Sequence, residues 1–225
     1  MNRSVQPEIL DGLPADDPEA KQSRRDLERL NGIMGNSRLL AKGIASLPEP
    51  PEKIVEIGAG NGTLLLKSLR TLPRPEQESQ VTFLDLVDLI TPEVKEEYAS
   101  LGWAVTVKTG DVRDTLDEKA DLVLANLFLH HFTDPDLAEL LSLIRNHTKH
   151  FFCVEPRRSR IALLAASLVR LVGCNHVTRH DAVVSVRAGF RDDDLSTLWD
   201  QEENWDLQEE LSPPFSHFFL ATEKP

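Results

Sequence analysis

Three glycines at alternate positions, Gly58, Gly60 and Gly62, are the residues whose type and spacing point most directly to chemistry. Glycine is used where a backbone turns through positive φ, and where a ligand must approach closer than a Cβ allows. These glycines follow a short β-branched apolar run and precede a helical pattern, so the turn would present a helix N-terminus to a ligand. A buried strand, a glycine turn and a helix together predict a nucleotide-binding site.

The spacing of the glycines decides between kinds of nucleotide site. A dinucleotide fingerprint would need glycine where Thr63 stands, and a P-loop would need a Gly-Lys-Ser/Thr ending. The form E-x-G-x-G-x-G, from Glu56 to Gly62, closely resembles motif I of the class I S-adenosylmethionine-dependent methyltransferases. The resemblance implies a Rossmann-like seven-stranded sheet, mostly parallel with an antiparallel last strand, and S-adenosyl-L-methionine as cofactor. A turn whose glycines serve packing alone is the alternative.

Two acidic positions extend the predicted cofactor site. Asp85 lies 23 residues after Gly62, near the spacing of about 20 at which nucleotide folds place a ribose-binding acid. Asp88 competes for this role, but Asp85 is favoured because it lies closer to the predicted strand tip. In the resembled family, the acid after the third strand and the next backbone amide read the adenine edge, which maps onto Asp111 and Val112. Capping of a short helix is the alternative role for Asp111.

A polar group follows the fourth predicted strand, ADLVLAN, which is nearly all apolar and therefore central. Ligands of open α/β sheets bind beyond the carboxyl ends of the strands, so Asn126, His130 and His131 are expected at the site. In the resembled small-molecule methyltransferases a histidine after this strand often faces the pocket. We therefore predict His131, and also His130, as candidate bases, with neutral packing histidines as the alternative.

A third candidate base is His180. Thr178-x-x-Asp181 fits a capping box, which predicts that His180 lies in the first turn of a helix. The positive end of a helix favours the neutral imidazole that a general base needs. Metal ligation by His176, His180 and Asp181 fits the spacing but lacks a clear fourth ligand, so no metal is predicted.

The elements that would position these residues alternate as strand and helix, which predicts parallel strands joined by right-handed crossovers. The antiparallel last strand is implied by the resemblance, which covers about residues 50 to 224. Residues 48–225 are therefore predicted to form the methyltransferase domain. The predicted strands cover residues 54–57, 81–86, 103–109, 120–126, 150–155, 205–210 and 217–222.

Residues 1–47 are amphipathic and predict an N-terminal helical cap, interrupted near Gly12–Pro14, Gly32 and Gly35. In many small-molecule methyltransferases such a cap covers the substrate, and simple packing on the sheet is the alternative. A polar side of this segment is expected to face solvent: Arg24, Arg25, Asp26, Glu28 and Arg29.

The segment after the fifth predicted strand combines positive charge with apolar side chains. Arginines at 157, 158 and 160 would suit an anionic substrate group, and pairing with acids elsewhere is the alternative. The stretch 161–172 is apolar nearly all round, so we expect it to be buried or to cover the pocket.

Bulk composition narrows the function further. A net charge of −12 argues against a nucleic-acid partner. The first residues carry no apolar signal region, and the longest apolar stretch, 161–172, is too short to span a bilayer. We therefore expect a cytoplasmic protein with no membrane partner that methylates a small-molecule acceptor, with oxygen as the expected nucleophile. A catalytically silent cofactor-binding scaffold and an aminopropyl transferase on the same fold are the alternatives, and the oligomeric state is left open.

Overall fold

The computed structural model describes residues 1–200, 202–212 and 214–224. After two N-terminal helices, strands and helices alternate through the fifth strand, and three helices and two strands follow. The helices are α1 (Pro18–Met34), α2 (Asn36–Ala45), α3 (Thr63–Leu69), α4 (Pro92–Ser100), α5 (Val112–Thr115), α6 (Asp134–His147), α7 (Arg160–Ser167), α8 (His176–Ala188) and α9 (Asp194–Trp199). The strands are β1 (Lys53–Ile57), β2 (Ser79–Asp85), β3 (Trp103–Thr109), β4 (Ala120–Asn126), β5 (Thr148–Pro156), β6 (Trp205–Ser212) and β7 (Ser216–Glu223).

Within the described residues, the seven strands form one sheet in the order β3-β2-β1-β4-β5-β7-β6. The strands β1 to β5 pair in parallel, while β7 pairs antiparallel with both β5 and β6. Parallel neighbours need crossover connections, which the helices α3 to α6 provide. The predicted Rossmann-like sheet with an antiparallel last strand is confirmed.

Both faces of the sheet are buried, which explains why its central strands are apolar throughout. Alternation along β1 sends Ile54 into the core on one face and Val55 and Ile57 into the core on the other. The carboxyl ends of β1, β2, β4 and β5 meet at one edge of the sheet, because these strands are parallel neighbours. We call this edge the ligand edge.

The N-terminal helices pack on the same core as the sheet. Leu40 and Ile44 of α2 are buried in one cluster with Ile54. A left-handed residue, Gly35 with φ of 73°, separates α1 from α2. The expected interruption at Gly32 is wrong, because α1 continues through it to Met34. The extent of the cap and of the methyltransferase domain stays a prediction.

The polar side of α1 faces solvent only in part, because Arg25 and Arg29 are exposed but Asp26 is fully buried. Its carboxylate accepts hydrogen bonds from the backbone N–H of Asn175 at 2.7 Å and from Arg29 at 2.7 Å. Ser23, also buried, hydrogen-bonds Thr178 at 2.9 Å. The helix therefore packs on α8 through polar contacts, which an apolar periodicity cannot reveal.

The apolar stretch 161–172 is largely exposed, so the expectation that it is buried is wrong, while its expected role in covering the pocket stays a prediction. Its helix α7 presents Ile161 and Leu164 to solvent, and Leu171 in the following 3₁₀ turn is 71% exposed. Among the described helices, none is both long and apolar enough to cross a membrane.

Candidate active site at the ligand edge

The glycine turn has the backbone that its sequence predicts. Gly58, Gly60 and Gly62 have φ of 65°, 55° and 70°, in the left-handed region that favours glycine. A Cβ on Gly58 would lie 2.3 Å from Cδ2 of Phe128, whereas a Cβ on Gly60 would meet nothing within 4 Å. The turn is therefore closed by packing at Gly58 and open to a ligand at Gly60.

Asp85 lies at the last position of β2 and contacts the glycine turn. Its Oδ2 accepts a hydrogen bond from the backbone N–H of Gly60 at 2.8 Å, and its Oδ1 accepts one from Val87 at 3.3 Å. Asp88 is exposed and accepts from the backbone N–H of Ile90 at 2.9 Å. Of the two acids, Asp85 is the one that lies against the open part of the turn.

Glu56 is a buried acid directly before the turn. Its Oε2 has no hydrogen-bond partner within the described residues. Burial raises the pKa of Glu56 to about 8, and the negative charge of Asp85 contributes to the rise. An unpaired buried carboxylate oxygen marks a place where a polar or cationic ligand group would be stabilised.

Asp111 and Val112 lie at the end of β3, on the same edge as Asp85. The backbone N–H of Gly110 donates to the carbonyl of Asp85 at 2.9 Å, which ties the two strand ends together. Asp111 caps α5, accepting from the backbone N–H of Arg113 at 2.9 Å. Hydrogen bonds from the Arg113 side chain and backbone lower the pKa of Asp111 to about 2. The capping role is therefore real, and the side chain remains partly exposed at the edge.

Asn126 ends β4 and contacts the N-terminal segment. Its Oδ1 accepts a hydrogen bond from Nδ2 of Asn36 at 3.4 Å. Asn61, inside the glycine turn, donates to the carboxylate of Glu28 on α1. Residues of α1 and α2 therefore reach both the glycine turn and the tip of β4.

His130 lies buried between two carboxylates. Its Nδ1 is 2.8 Å from Oε2 of Glu155, and its Nε2 is 3.3 Å from Oε1 of Glu8. Glu155 also accepts from the backbone N–H groups of Phe128 and Leu129, so its position is fixed. Burial alone would lower the pKa of His130, but the hydrogen bonds to Glu155 and Glu8 outweigh it and raise the pKa to about 9. His130 therefore carries a proton at neutral pH and cannot accept another.

His131 has a different environment, because it lies partly exposed beside an aspartate. Its Nδ1 is 3.2 Å from Oδ2 of Asp11, and its side chain is 27% exposed. Its ring centroid is 6.5 Å from that of Phe128, the residue that packs on Gly58. The Asp11–His131 pair therefore lies close to the glycine turn.

His180 does not lie where the capping-box prediction puts it. Asn175 caps α8 by accepting from the backbone N–H of Thr178, so His180 falls in the second turn of the helix. Asp181 instead accepts from the backbone N–H groups of Ile9 and Leu10, at 2.8 and 3.0 Å. His180 is half exposed and paired with Asp181, and the argument from the positive helix end fails.

The N-terminal twelve residues contribute polar groups that sequence reasoning missed. Arg3 donates to the carbonyl of Phe132 at 2.8 Å and to that of Ala188 at 2.7 Å. Glu8 and Asp11 contact the two histidines after β4. Nothing local in the first twelve residues signals these contacts, since each partner lies more than a hundred residues away in the chain.

Three of these groups also satisfy a geometric condition for metal binding. Glu8, His130 and His131 each offer one ligand atom, and the three atoms lie within 4.8 Å of one another. The proton on His130 occupies the position between the ring and Glu8. The prediction that no metal is bound stays a prediction.

The three arginines after β5 have separate environments. Arg158 is buried, donates to the carbonyl of Gly189 at 3.0 Å and pairs with Asp194. Arg160 is exposed at the start of α7. Arg157 is half-buried, and its guanidinium has no side-chain hydrogen bond within the described residues. Pairing with an acid elsewhere in the chain therefore accounts for the charge of Arg158 but not for that of Arg157.

A surface depression of about 380 Å³ lies at the opposite edge of the sheet, where β1, β4 and β5 begin. Asp121 in its lining accepts from the backbone N–H of Lys53 and from the ammonium group of Lys149. The charge of Asp121 is thus paired within the depression. The carboxyl ends of the strands, where ligands bind in such sheets, lie at the ligand edge instead.

The fold and the ligand edge indicate a nucleotide-binding protein, and comparison with known proteins narrows the class. Residues 54–150 match the model of a family described as a methyltransferase domain, a span that includes the glycine turn, Asp85 and Asp111. The match spans 97 of the 225 residues and supports an S-adenosylmethionine-dependent methyltransferase, consistent with class I, with S-adenosylmethionine as cofactor. A search among curated protein sequences found no match.

Solved structures of methyltransferases resemble the chain over most of its length. The plantazolicin methyltransferase BpumL, in complex with SAH, aligns over 93% of this chain and 92% of its own, with a TM-score of 0.66 and 14% identity. A putative O-methyltransferase from Nostoc punctiforme aligns over 99% and 64%, with a TM-score of 0.63 and 15% identity. Human N-acetylserotonin methyltransferase, in complex with SAM, aligns over 96% and 61%, with a TM-score of 0.54 and 19% identity. Identities this low show the shared fold.

The residues at the ligand edge fit S-adenosylmethionine. The cofactor has a ribose diol, which needs an acceptor, and two cationic groups, which need negative charge nearby. The open space at Gly60 and the carboxylate of Asp85 beside it meet these needs, and the unpaired oxygen of Glu56 offers a further polar contact.

Proposed function

We propose that the protein transfers the methyl group of S-adenosylmethionine to an oxygen atom of a small-molecule acceptor. The observation that carries the proposal is the Asp11–His131 pair, which lies beside Phe128 and hence beside the glycine turn. The bound cofactor supplies a methyl group that is already activated, so the protein has two tasks. It must align the acceptor, and it must take a proton from any acceptor that arrives as a hydroxyl.

In the proposed site, the cofactor lies along the ends of β1 to β4. Asp85 accepts from the ribose, the open space at Gly60 lets the cofactor approach the backbone, and Glu56 offers an unpaired buried oxygen below the turn, as their positions support. The remaining contacts are proposed at the adenine and along the cofactor: Gly58, Gly62, Asp111, Val112 and Asn126.

His131 is the proposed general base. The carboxylate of Asp11 near Nδ1 orients the ring, and Nε2 has no hydrogen-bond partner within the described residues. Partial exposure allows an acceptor hydroxyl to approach, a condition that a base must meet before its pKa matters. His130 is excluded because carboxylates occupy both of its nitrogens and hold its proton.

The N-terminal segment is proposed to cover the acceptor. Asn61 in the turn hydrogen-bonds Glu28, Asn36 hydrogen-bonds Asn126, and Asp11 lies 3.2 Å from His131. Residues 1–47 therefore meet the ligand edge at three points. An anionic group on the acceptor is proposed from Arg157, whose half-buried guanidinium follows β5 at the same edge.

The test is a panel assay with S-adenosylmethionine and phenols, aliphatic alcohols, carboxylic acids, amines and thiols. Mass spectrometry should detect S-adenosylhomocysteine together with an O-methylated product. For a hydroxyl acceptor, His131→Ala should lower kcat by about 10² to 10⁴ without changing the affinity for S-adenosylhomocysteine. Asp11→Asn should lower kcat less, because it removes only the group that orients the ring.

His180→Ala is the control, since it removes a more exposed histidine that is also paired with an aspartate, on α8. It should retain the activity of the unmodified protein. Full activity of His131→Ala on a hydroxyl acceptor would contradict the proposed base. Methylation of amines or thiols alone would contradict oxygen as the nucleophile.

A further inference from the structure

Several large apolar side chains are exposed on α7 and the 3₁₀ turn after it. Ile161 is 70% exposed, Leu164 62% and Leu171 71%, although large aliphatic side chains are usually buried. Leu168 and Val172 are exposed beside them. We call these five residues the α7 surface.

The side of α7 that packs on the protein differs from that of an ordinary surface helix, which buries its large apolar side chains. Its buried residues are the small Ala162 and Ala166, which pack with Val186 of α8. At 3.6 residues per turn, positions 160, 161, 164 and 168 share the opposite side, which faces solvent. The helix thus buries small side chains and exposes Ile161 and Leu164, while Leu163 packs partly against the buried cluster. Large apolar side chains on the outer side favour a partner there.

The charge around the α7 surface is opposite to that of the whole chain. Residues 156–180 include five arginines and no aspartate or glutamate, in a chain of net charge −12. Arg160, Arg170 and Arg179 are exposed, and none of them forms an ion pair with another residue that the structure describes. Apolar side chains therefore lie among unpaired positive charges, on a protein that is otherwise acidic.

We propose that the α7 surface docks on a bilayer that contains anionic lipid. Surfaces of this kind bind in the plane of the membrane interface, with the apolar side chains at the acyl boundary and the arginines near lipid phosphates. A symmetric contact between two copies would place the same arginines opposite one another, which like-charge repulsion disfavours. The expectation of no membrane partner rested on the length of the apolar stretch, and that length concerns spanning only.

The position of α7 relates docking to the active site. Three residues separate the end of β5 at the ligand edge from the start of α7, and Arg157 is one of them. A protein docked through the α7 surface would therefore hold its ligand edge close to the bilayer.

Co-sedimentation of the full chain with lipid vesicles tests the proposal. We expect binding to vesicles of phosphatidylcholine with phosphatidylglycerol, much weaker binding to phosphatidylcholine alone, and release at high salt. The double variant Arg160→Gln/Arg170→Gln should bind the anionic vesicles about 25-fold more weakly, about fivefold for each arginine. Leu164→Ser/Leu171→Ser should bind at least about tenfold more weakly.

Two exposed positions outside the α7 surface provide single-residue controls. Arg74→Gln removes one positive charge in the loop before β2, and Leu211→Ser removes an exposed leucine from β6. Both should bind vesicles as the unmodified protein does, and all variants should keep its affinity for S-adenosylhomocysteine, which reports the fold.

Three results would overturn the proposal. The first is no binding of the unmodified protein to vesicles of either composition. The second is an equal loss of binding in the variants and the controls. The third is a dimer in solution that Leu164→Ser/Leu171→Ser dissociates, which would assign the surface to a protein contact.

Discussion

The glycine turn makes two separable predictions, because the structure gives Gly58 and Gly60 different surroundings. Both residues have positive φ, so alanine at either position costs about 1–2 kcal/mol of backbone strain. At Gly60 the added methyl group meets nothing within 4 Å, so strain is the whole cost. At Gly58 it would lie 2.3 Å from Phe128, and repacking that ring costs about 1–3 kcal/mol more.

Gly60→Ala should therefore lose about 1–2 kcal/mol of unfolding free energy, and Gly58→Ala about 2–5 kcal/mol in sum. The loss of cofactor affinity should have the opposite order, with the larger loss at Gly60. The methyl group at Gly60 occupies the space proposed for the ligand, so the affinity for S-adenosylhomocysteine should fall at least about tenfold, and Gly60→Val should abolish binding.

Urea unfolding followed by circular dichroism measures the first quantity, and calorimetry on the folded variants measures the second. Gly60→Ala that binds S-adenosylhomocysteine as tightly as the unmodified protein would refute the assignment of the open space to the cofactor. Equal stability of the two alanine variants would show that the contact with Phe128 carries no cost.

Two further predictions concern buried polar contacts. The pKa of His130 is about 9 in the folded protein and about 6.5 in an unfolded chain, a difference of about 2.5 that corresponds to up to about 3 kcal/mol. Because the folded pKa is the higher one, this stability is present below pH 6.5 and is lost as the pH rises towards 9. Glu8→Gln should reduce that loss in urea unfolding measured across the same pH range. An unchanged pH dependence would contradict a contribution of Glu8 to the raised pKa of His130. Asp26→Ala should cost about 2–4 kcal/mol, since it leaves the buried N–H of Asn175 without an acceptor, whereas the exposed Glu96→Ala should change stability by less than about 0.5 kcal/mol.

Local sequence patterns predict the sheet and the glycine turn because both depend on neighbouring residues. The strand with Ile54 and Ile57 must be apolar to lie inside a parallel sheet, and the positive φ values after it require glycine. The position of Asp85 follows from the same unit, since the length of one crossover fixes where the next strand ends. The antiparallel last strand came from family resemblance, which patterns alone do not provide.

The polar contacts of the N-terminal segment could not be predicted in this way. Glu8 meets His130 across 122 positions of the chain, and Asp26 meets Asn175 across 149. Periodicity separates apolar from polar sides of a helix, but it does not reveal that α1 packs on α8 through its polar side. Periodicity also fails for α7, because α8 packs against Ala162 and Ala166 of that helix, and Leu164 on its opposite side stays exposed.

The most direct test of the proposed cofactor site compares Asp85 with Asp88 by calorimetry of S-adenosylmethionine binding. Asp85→Asn keeps an oxygen that can accept from Gly60 but removes the charge, so a loss of affinity reports the ribose contact more than the turn. The predicted loss for Asp85→Asn and Asp85→Ala is at least about tenfold, since hydrogen bonds to a charged group contribute about 1.5–3 kcal/mol. Asp88→Ala should bind as the unmodified protein does. Unchanged affinity in both Asp85 variants, or a loss confined to Asp88→Ala, would contradict the account.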